Sequence, residues 1–435
     1  MSKSSTQQEV DFSQIDYSAV DYASHPAYRN LDAPAATEQQ IVGEILHNIE
    51  NCVSGIHESP RLLSQDDITR RFENEIDPQL QNLSDYFGSH CQLSDAYLQH
   101  ARQGVELARE NLYAEVVMRN DRHQYRAVPW SASRSEQIAY DLAVDGIAAR
   151  SLPRQEIQNI FESVAPYRKQ LEERRDMAPE SYCNMSLPLV GSYWSQLQSI
   201  VRRNGFLRGT SDYVRHNLEL IYCALVLSHE GEEWWKGCYE EDGIATSKTV
   251  YMHNDEGHHV YKMIIYLNDV SDDQGPFSFV KGSSNRHRSI AQNWIIKGID
   301  VAVVKSLQRT PGDFYYRTRF KDPAHRRQLL ALPSLLQGTS HFGDDVVDDS
   351  PLSRFLLNHE TRYVSERANC MVFNGCYGVH RGAYVERGER WALQLGLAKK
   401  PAFSVRRSLR RLEQSVRIPL KRFLRIPSKQ SRKAA

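Results

Sequence analysis

Short apolar runs, each ended by a strong turn signal, constrain this chain most. Lys262-Met263-Ile264-Ile265-Tyr266-Leu267 is β-branched and aromatic and stops at Asn268-Asp269. A turn at Asp272-Asp273-Gln274-Gly275-Pro276 leads into Phe277-Ser278-Phe279-Val280, which stops at Gly282-Ser283-Ser284. Cys370-Met371-Val372-Phe373 ends at Asn374-Gly375, and Arg390 to Leu397 has the same character. Segments this short, punctuated by Gly, Pro and Asn-Asp and without helical periods between them, predict antiparallel pairing. The expected fold is a mainly β core, a sandwich or jelly roll, with added helices.

The helices are expected mostly before that core. Ile41, Ile45, Ile49 and Val53, with Leu46 beside them, recur at helical intervals, and a second helix is predicted from Ser94 to about Met118. A strand over Gly146–Arg150 and a helix opening at Pro153, with Ile157, Ile160 and Phe161 inward, follow. The first 35 or so residues are polar and read as an extended arm. Residues 1–135 are thus an N-terminal arm and helical region, and 136–398 the β domain. The stretch at about 285–368, with a charged cluster from Arg317 to Arg327 and an acidic run from Asp344 to Asp349, is too long for a plain connection. It reads as an insertion with structure of its own, a lid. Lys and Arg together equal Asp and Glu at 54 each, yet 13 of the basic residues fall at or after Lys399, against Glu413 alone. Residues 399–435 are therefore set apart as a basic tail.

One short stretch suggests chemistry. In Tyr251-Met252-His253-Asn254-Asp255 a strand would project His253 and Asp255 to one side, because side chains alternate. An imidazole and a carboxylate side by side supply two ligands of a 2-His-1-carboxylate set, which leaves one face of Fe(II) open to a cosubstrate and oxygen. His380, beyond the strand Cys370–Phe373, is the best third ligand. Ten residues later Arg390 opens a strand, and a guanidinium there suits a dicarboxylic cosubstrate.

His253-Asn254-Asp255, the run Tyr261 to Val270, Gln274-Gly275-Pro276-Phe277, Val280-Lys281-Gly282-Ser283, and His380-Arg381-Gly382 with Gly388 to Gln394 together resemble the phytanoyl-CoA dioxygenase-like family. The resemblance spans residues 136–398. It implies a double-stranded β-helix, a jelly-roll or cupin-like variant, that uses Fe(II) and 2-oxoglutarate. It implies that His253, Asp255 and His380 are metal ligands and that Arg390 holds the distal carboxylate of 2-oxoglutarate. Tyr251 and Lys262 are further candidates for contact with the cosubstrate. An intact Asp255 favours hydroxylation over halogenation. The implied reaction is O2-dependent hydroxylation of a small or lipid-linked organic substrate, with release of succinate and CO2. The interval between Asp255 and His380 is longer than in the family's compact layout.

Other chemistries lack their residues. His229-Glu230-Gly231-Glu232-Glu233 opens like a zinc-protease motif but has Glu where the second His belongs. There is no G-x-x-x-x-G-K and no G-x-S-x-G. His258 and His259 read as turn or pocket residues. Trp234-Trp235 and Tyr315-Tyr316 read as core, and Arg317 and Arg319 as part of a solvated charge run. Seven scattered cysteines and the absence of a signal-peptide pattern lead us to expect a cytoplasmic protein. In the tail, Val405, Leu409, Leu412 and Val416 with the arginines around them form a basic amphipathic pattern. Residues 403–426 would suit an anionic membrane surface on its inner face, or stay unstructured; nucleic acid is the least favoured partner. The competing function is a non-catalytic jelly-roll interaction protein brought to membranes by this tail.

Overall fold

The computed structural model describes residues 39–59, 61–121, 133–176, 182–230, 252–255, 260–284, 289–306, 323–337 and 351–399. Among them are nine strands: β1 (Ile147–Arg150), β2 (Tyr182–Ser186), β3 (Leu218–His229), β4 (Tyr261–Tyr266), β5 (Phe277–Val280), β6 (Glu360–Tyr363), β7 (Cys370–Asn374), β8 (His380–Gly382) and β9 (Glu389–Lys399). They form a six-stranded sheet in the order β1-β7-β4-β9-β3-β2 and a three-stranded sheet in the order β6-β5-β8, with antiparallel pairing throughout.

Alternation along the central strands decides where the cores lie. In β7, Cys370 and Val372 face one apolar core while Met371 and Phe373 face another. In β4, Tyr261, Met263 and Ile265 join the first, and Ile264 and Tyr266 the second. A strand apolar on both faces needs a cover on each side. The outer cover is five helices, α5 (Ser133–Val144), α6 (Arg154–Ser163), α7 (Ala165–Arg175), α8 (Ser192–Arg203) and α9 (Phe206–Val214), through residues such as Ile138, Ile160, Leu171, Leu197 and Phe206. The inner cover is the smaller sheet. Phe277 of β5 stacks on Phe373 with ring centroids 4.8 Å apart, and the Tyr266 hydroxyl donates to the Tyr363 carbonyl and accepts from the Phe277 amide. The two sheets are thus packed face to face.

A third core is helical. α1 (Gln39–His57), α2 (Gln65–Arg71), α3 (Asp77–His90) and α4 (Asp95–Asp121) pack with α10 (Ile290–Ser306), α11 (Pro323–Leu330) and α12 (Ser334–Gln337). A further helix, α13 (Pro351–His359), leads into β6. The stripe on α1 differs slightly from expectation: Ile41 is exposed and Val42 buried, so the inward face is Val42, Ile45, Leu46, Ile49, Val53 and Ile56. α10 also departs from the expected lid. Its described side chains are nearly all buried, the apolar Ile290, Trp294, Ile295, Ile296, Ile299 and Val303 and also the polar Gln292, Asn293, Lys297 and Asp300. It is the centre of the helical core, crossing α4 where Gly298 meets Gly104. A methyl group added at Gly298 would stand 2.0 Å from the Gly104 carbonyl oxygen.

No helix among the described residues is long and apolar enough to cross a membrane. The N-terminal arm, Trp234-Trp235, Tyr315-Tyr316, Arg317, Arg319, the acidic run and the basic tail beyond Lys399 lie outside the described residues.

Candidate metal centre

His253 and His380 are directly opposite one another. Each backbone amide donates to the other's carbonyl, at 3.0 and 2.8 Å, in an isolated antiparallel bridge beside β8. The segment 252–255 is therefore extended, as its alternation required, although it makes this one bridge and not the expected strand. Opposed residues project to the same face, and the two imidazole centroids lie 4.5 Å apart. The Asp255 amide donates to the Gly375 carbonyl at 2.6 Å, which brings the carboxylate over the same face. Asp255 Oδ1 is 4.0 Å from His253 Nε2 and 3.7 Å from His380 Nε2. One ligand atom from each residue lies within 4.8 Å of the others. Gly375 is what lets the carboxylate settle, since a methyl group there would stand 1.8 Å from Asp255 Oδ2.

The electrostatics follow from burial and neighbours. Burial pushes the His380 imidazole down to about 3, against a smaller upward pull from Asp255. His380 Nδ1 lies 2.9 Å from the Gly378 carbonyl, which can only accept, so Nδ1 carries the proton. The lone pair is then on Nε2, the atom facing Asp255. For the Asp255 carboxyl, burial opposes ionisation, but Lys262, His380 and His253 together outweigh it and hold the group well below the usual carboxylate range. A neutral imidazole with its lone pair turned inward, beside a carboxylate that stays ionised, is the donor set a divalent cation requires. Asp255 Oδ2 and Arg390 Nη1 are both buried with no hydrogen-bond partner, so the site retains polar capacity that its own residues do not use. The residues present fit a metal ion at this position.

Arg390 is nearly buried at the start of β9, where it pairs in register with Ser228 of β3. Its Nη2 donates to the Ser228 hydroxyl at 2.9 Å and would lie 3.7 Å from a methyl group on Gly382, two residues past His380. The guanidinium therefore lies against β8 at Gly382, on the strand that begins with His380. Lys262 reaches the centre from the far end of β9. It opposes Gly396 on β9, six positions from Arg390 and so roughly 20 Å along the strand. Its ammonium donates to Asp255 Oδ1 at 2.5 Å. The structure thus gathers His253, Asp255 and His380 about one point, sets Arg390 against the Gly382 end of β8, and ties Lys262 to the carboxylate. Tyr251, His258 and His259 lie outside the described residues.

Three contributors were missed by sequence reasoning. Ser228 gave a weak signal, a polar residue on the inward face of a long apolar strand. Gly375 was read only as a turn residue. Lys297, on α10, donates through Nζ to the carbonyls of both Asp255 and Cys376, and no local pattern indicated that.

No protein-family model matches this chain, and no curated protein matches it in sequence. Among solved structures it is similar to the non-heme alpha-ketoglutarate-dependent epimerase SnoN from nogalamycin biosynthesis, at 14% identity and TM-score 0.31, covering 61% of this chain and 83% of that one. It is similar to HygX from Streptomyces hygroscopicus, solved with nickel and 2-oxoglutarate bound, at 13% identity and TM-score 0.32, covering 62% and 88%. It is also similar to AviO1 from Streptomyces viridochromogenes Tue57, at 12% identity and TM-score 0.32, covering 63% and 99%.

Proposed function

We propose that the chain is an Fe(II)- and 2-oxoglutarate-dependent oxygenase of the phytanoyl-CoA dioxygenase-like kind, built on a double-stranded β-helix. In this reading it hydroxylates a small or lipid-linked organic substrate and releases succinate and CO2. Residues 136–398 are the oxygenase domain, 285–368 an insertion in it, and 1–135 and 399–435 flanking regions. The observation that supports this best is the convergence of His253 Nε2, Asp255 Oδ1 and His380 Nε2, with Arg390 set against the strand that begins with His380.

His253, Asp255 and His380 would hold the iron. The unpartnered Arg390 Nη1, with the Ser228 hydroxyl beside the same guanidinium, would bind the distal carboxylate of the cosubstrate through charge-assisted hydrogen bonds. Iron and 2-oxoglutarate, once bound, supply the oxygen activation for which side chains have no equivalent. The chain's own work is to keep Nε2 of His380 unprotonated, to keep Asp255 ionised, and to set Phe277 and Phe373 beside His380 so that water is excluded. Lys262 neutralises part of the carboxylate's charge, which makes the site a weaker attractor for cations than three bare ligands would be.

The test needs no substrate. Fe(II) and then 2-oxoglutarate are added without oxygen to the full chain, and the visible spectrum is recorded. A weak charge-transfer band should need both additions and should vanish in His380→Ala and in Arg390→Ala. Folded protein with excess iron and no band would remove the basis for the oxygenase reading.

A further inference from the structure

α10 is buried along most of its length, its polar side chains Gln292, Asn293 and Asp300 included, and among them it carries a lysine that is only 2% exposed. Removing an ammonium from water is unfavourable by several kcal/mol unless strong acceptors replace the solvent. Packing gives no reason for that expense, since methionine would fill a similar volume. The acceptors are the informative part. Lys297 Nζ donates to the carbonyl of Asp255 and to the carbonyl of Cys376, while the Trp294 ring centroid lies 5.2 Å away. One cation therefore holds the segment bearing His253 and Asp255 against the loop that leads to His380. The Asp255 peptide is fixed at both ends, its amide on Gly375 and its carbonyl on Lys297.

The next residue of the loop is held from the same core. The Tyr377 hydroxyl donates to Glu115 Oε2 of α4 at 2.7 Å, and Glu115, itself buried, is ion-paired with Arg119. Within this loop, Asn374 Oδ1 accepts from the Cys376 amide and the Gly378 amide donates to the Asn374 carbonyl. The loop is thus internally braced and anchored at adjacent residues by α10 and α4, the two helices that cross at Gly298 and Gly104.

We propose that the helical core sets the affinity of the metal centre, with Lys297 and Tyr377 as positioning residues that hold Asp255 and His380 at binding distance. This rests on the metal-centre reading above. Partners one step beyond a metal's ligands typically change affinity by about 10- to 100-fold. Because Lys297 acts on backbone carbonyls and not on the ligand atoms, the lower figure is the expectation.

Co(II) is the probe, titrated into the full chain by calorimetry and followed by its visible bands. Thermal unfolding of the metal-free proteins is recorded alongside. Lys297→Met should bind Co(II) about tenfold more weakly than wild type, with its bands altered, and Lys297→Gln, which keeps a donor, should fall between. A merely structural lysine would lower the melting temperature and leave the Co(II) affinity of folded protein unchanged; that result overturns the proposal. Should Lys297→Met not fold, Tyr377→Phe, which deletes one hydroxyl, reads the same quantity. Binding weakened severalfold supports the proposal, and unchanged binding overturns it. Failure of wild type itself to bind Co(II) would remove the metal-centre reading instead, so the two failures are told apart.

Discussion

His380 is held neutral by its surroundings, and that has a measurable consequence for the metal-free chain. Its imidazole is pushed down to about 3 by burial, whereas an unfolded histidine titrates near 6.5. Between those values the unfolded chain takes a proton that the folded chain refuses, so stability is present in full above about pH 6.5 and is lost as pH falls toward 3. The slope from this one group is at most about 1.4 kcal/mol per pH unit. With chelator present, denaturant midpoints of wild type should fall between pH 6 and 4 more steeply than those of His380→Asn; parallel curves would contradict the assignment. At this scale the sequence was partly legible. The pair His253 and Asp255 could be read because two-residue spacing has a fixed meaning in extended chain, and Arg390 because it opens a recognisable strand. Lys297 could not be read, since a lysine in a helical pattern is ordinarily on the water side and its acceptors lie 42 and 79 residues away.

Between elements, the crossing of α4 and α10 is set by two glycines with no room for a side chain. The Gly104 carbonyl oxygen faces Gly298, and that oxygen belongs to backbone and cannot rotate aside. Gly298→Ala should therefore destabilise by about 1–3 kcal/mol, despite alanine's better helix propensity. The same change at Gly55 in α1, where a methyl group meets nothing within 4 Å, should stabilise by about 0.5–1 kcal/mol. Opposite signs in a urea titration are the expected outcome, and equal signs would mean that the helices do not cross there. Local patterns located β4, β5, β7 and β9, and the helices α1, α4 and α6, because each carries its own periodicity or stop signal. They did not say that α10 packs with helices from the first third of the chain. That partnership depends on shape at one crossing point, for which periodicity holds no information.

For the molecule as a whole, the three candidate ligands sit at positions 253, 255 and 380, so a bound cation joins distant parts of the chain. A ligand that binds only the folded state stabilises by mass action, about 2.7 kcal/mol at a hundredfold excess over its Kd. Co(II) should accordingly raise the melting temperature by several degrees, and Asp255→Ala should abolish the rise; a shift that survives this substitution would place the cation elsewhere. The register of the large sheet has a further consequence, for synthesis. β1 pairs with β7 through Ile147 and Phe373, and β3 pairs with β9 through Leu218 and Lys399. β9, the last strand to be made, is the one that joins β1-β7-β4 to β3-β2, so a ribosome-bound chain shorter than about 389 residues holds two partial sheets with no strand to link them. Long-range pairings of this kind close slowly and leave apolar edges open in the meantime. During translation the edges of β3 and β4 that β9 covers must wait for it to emerge, and a chaperone that shields nascent strands would act in that interval.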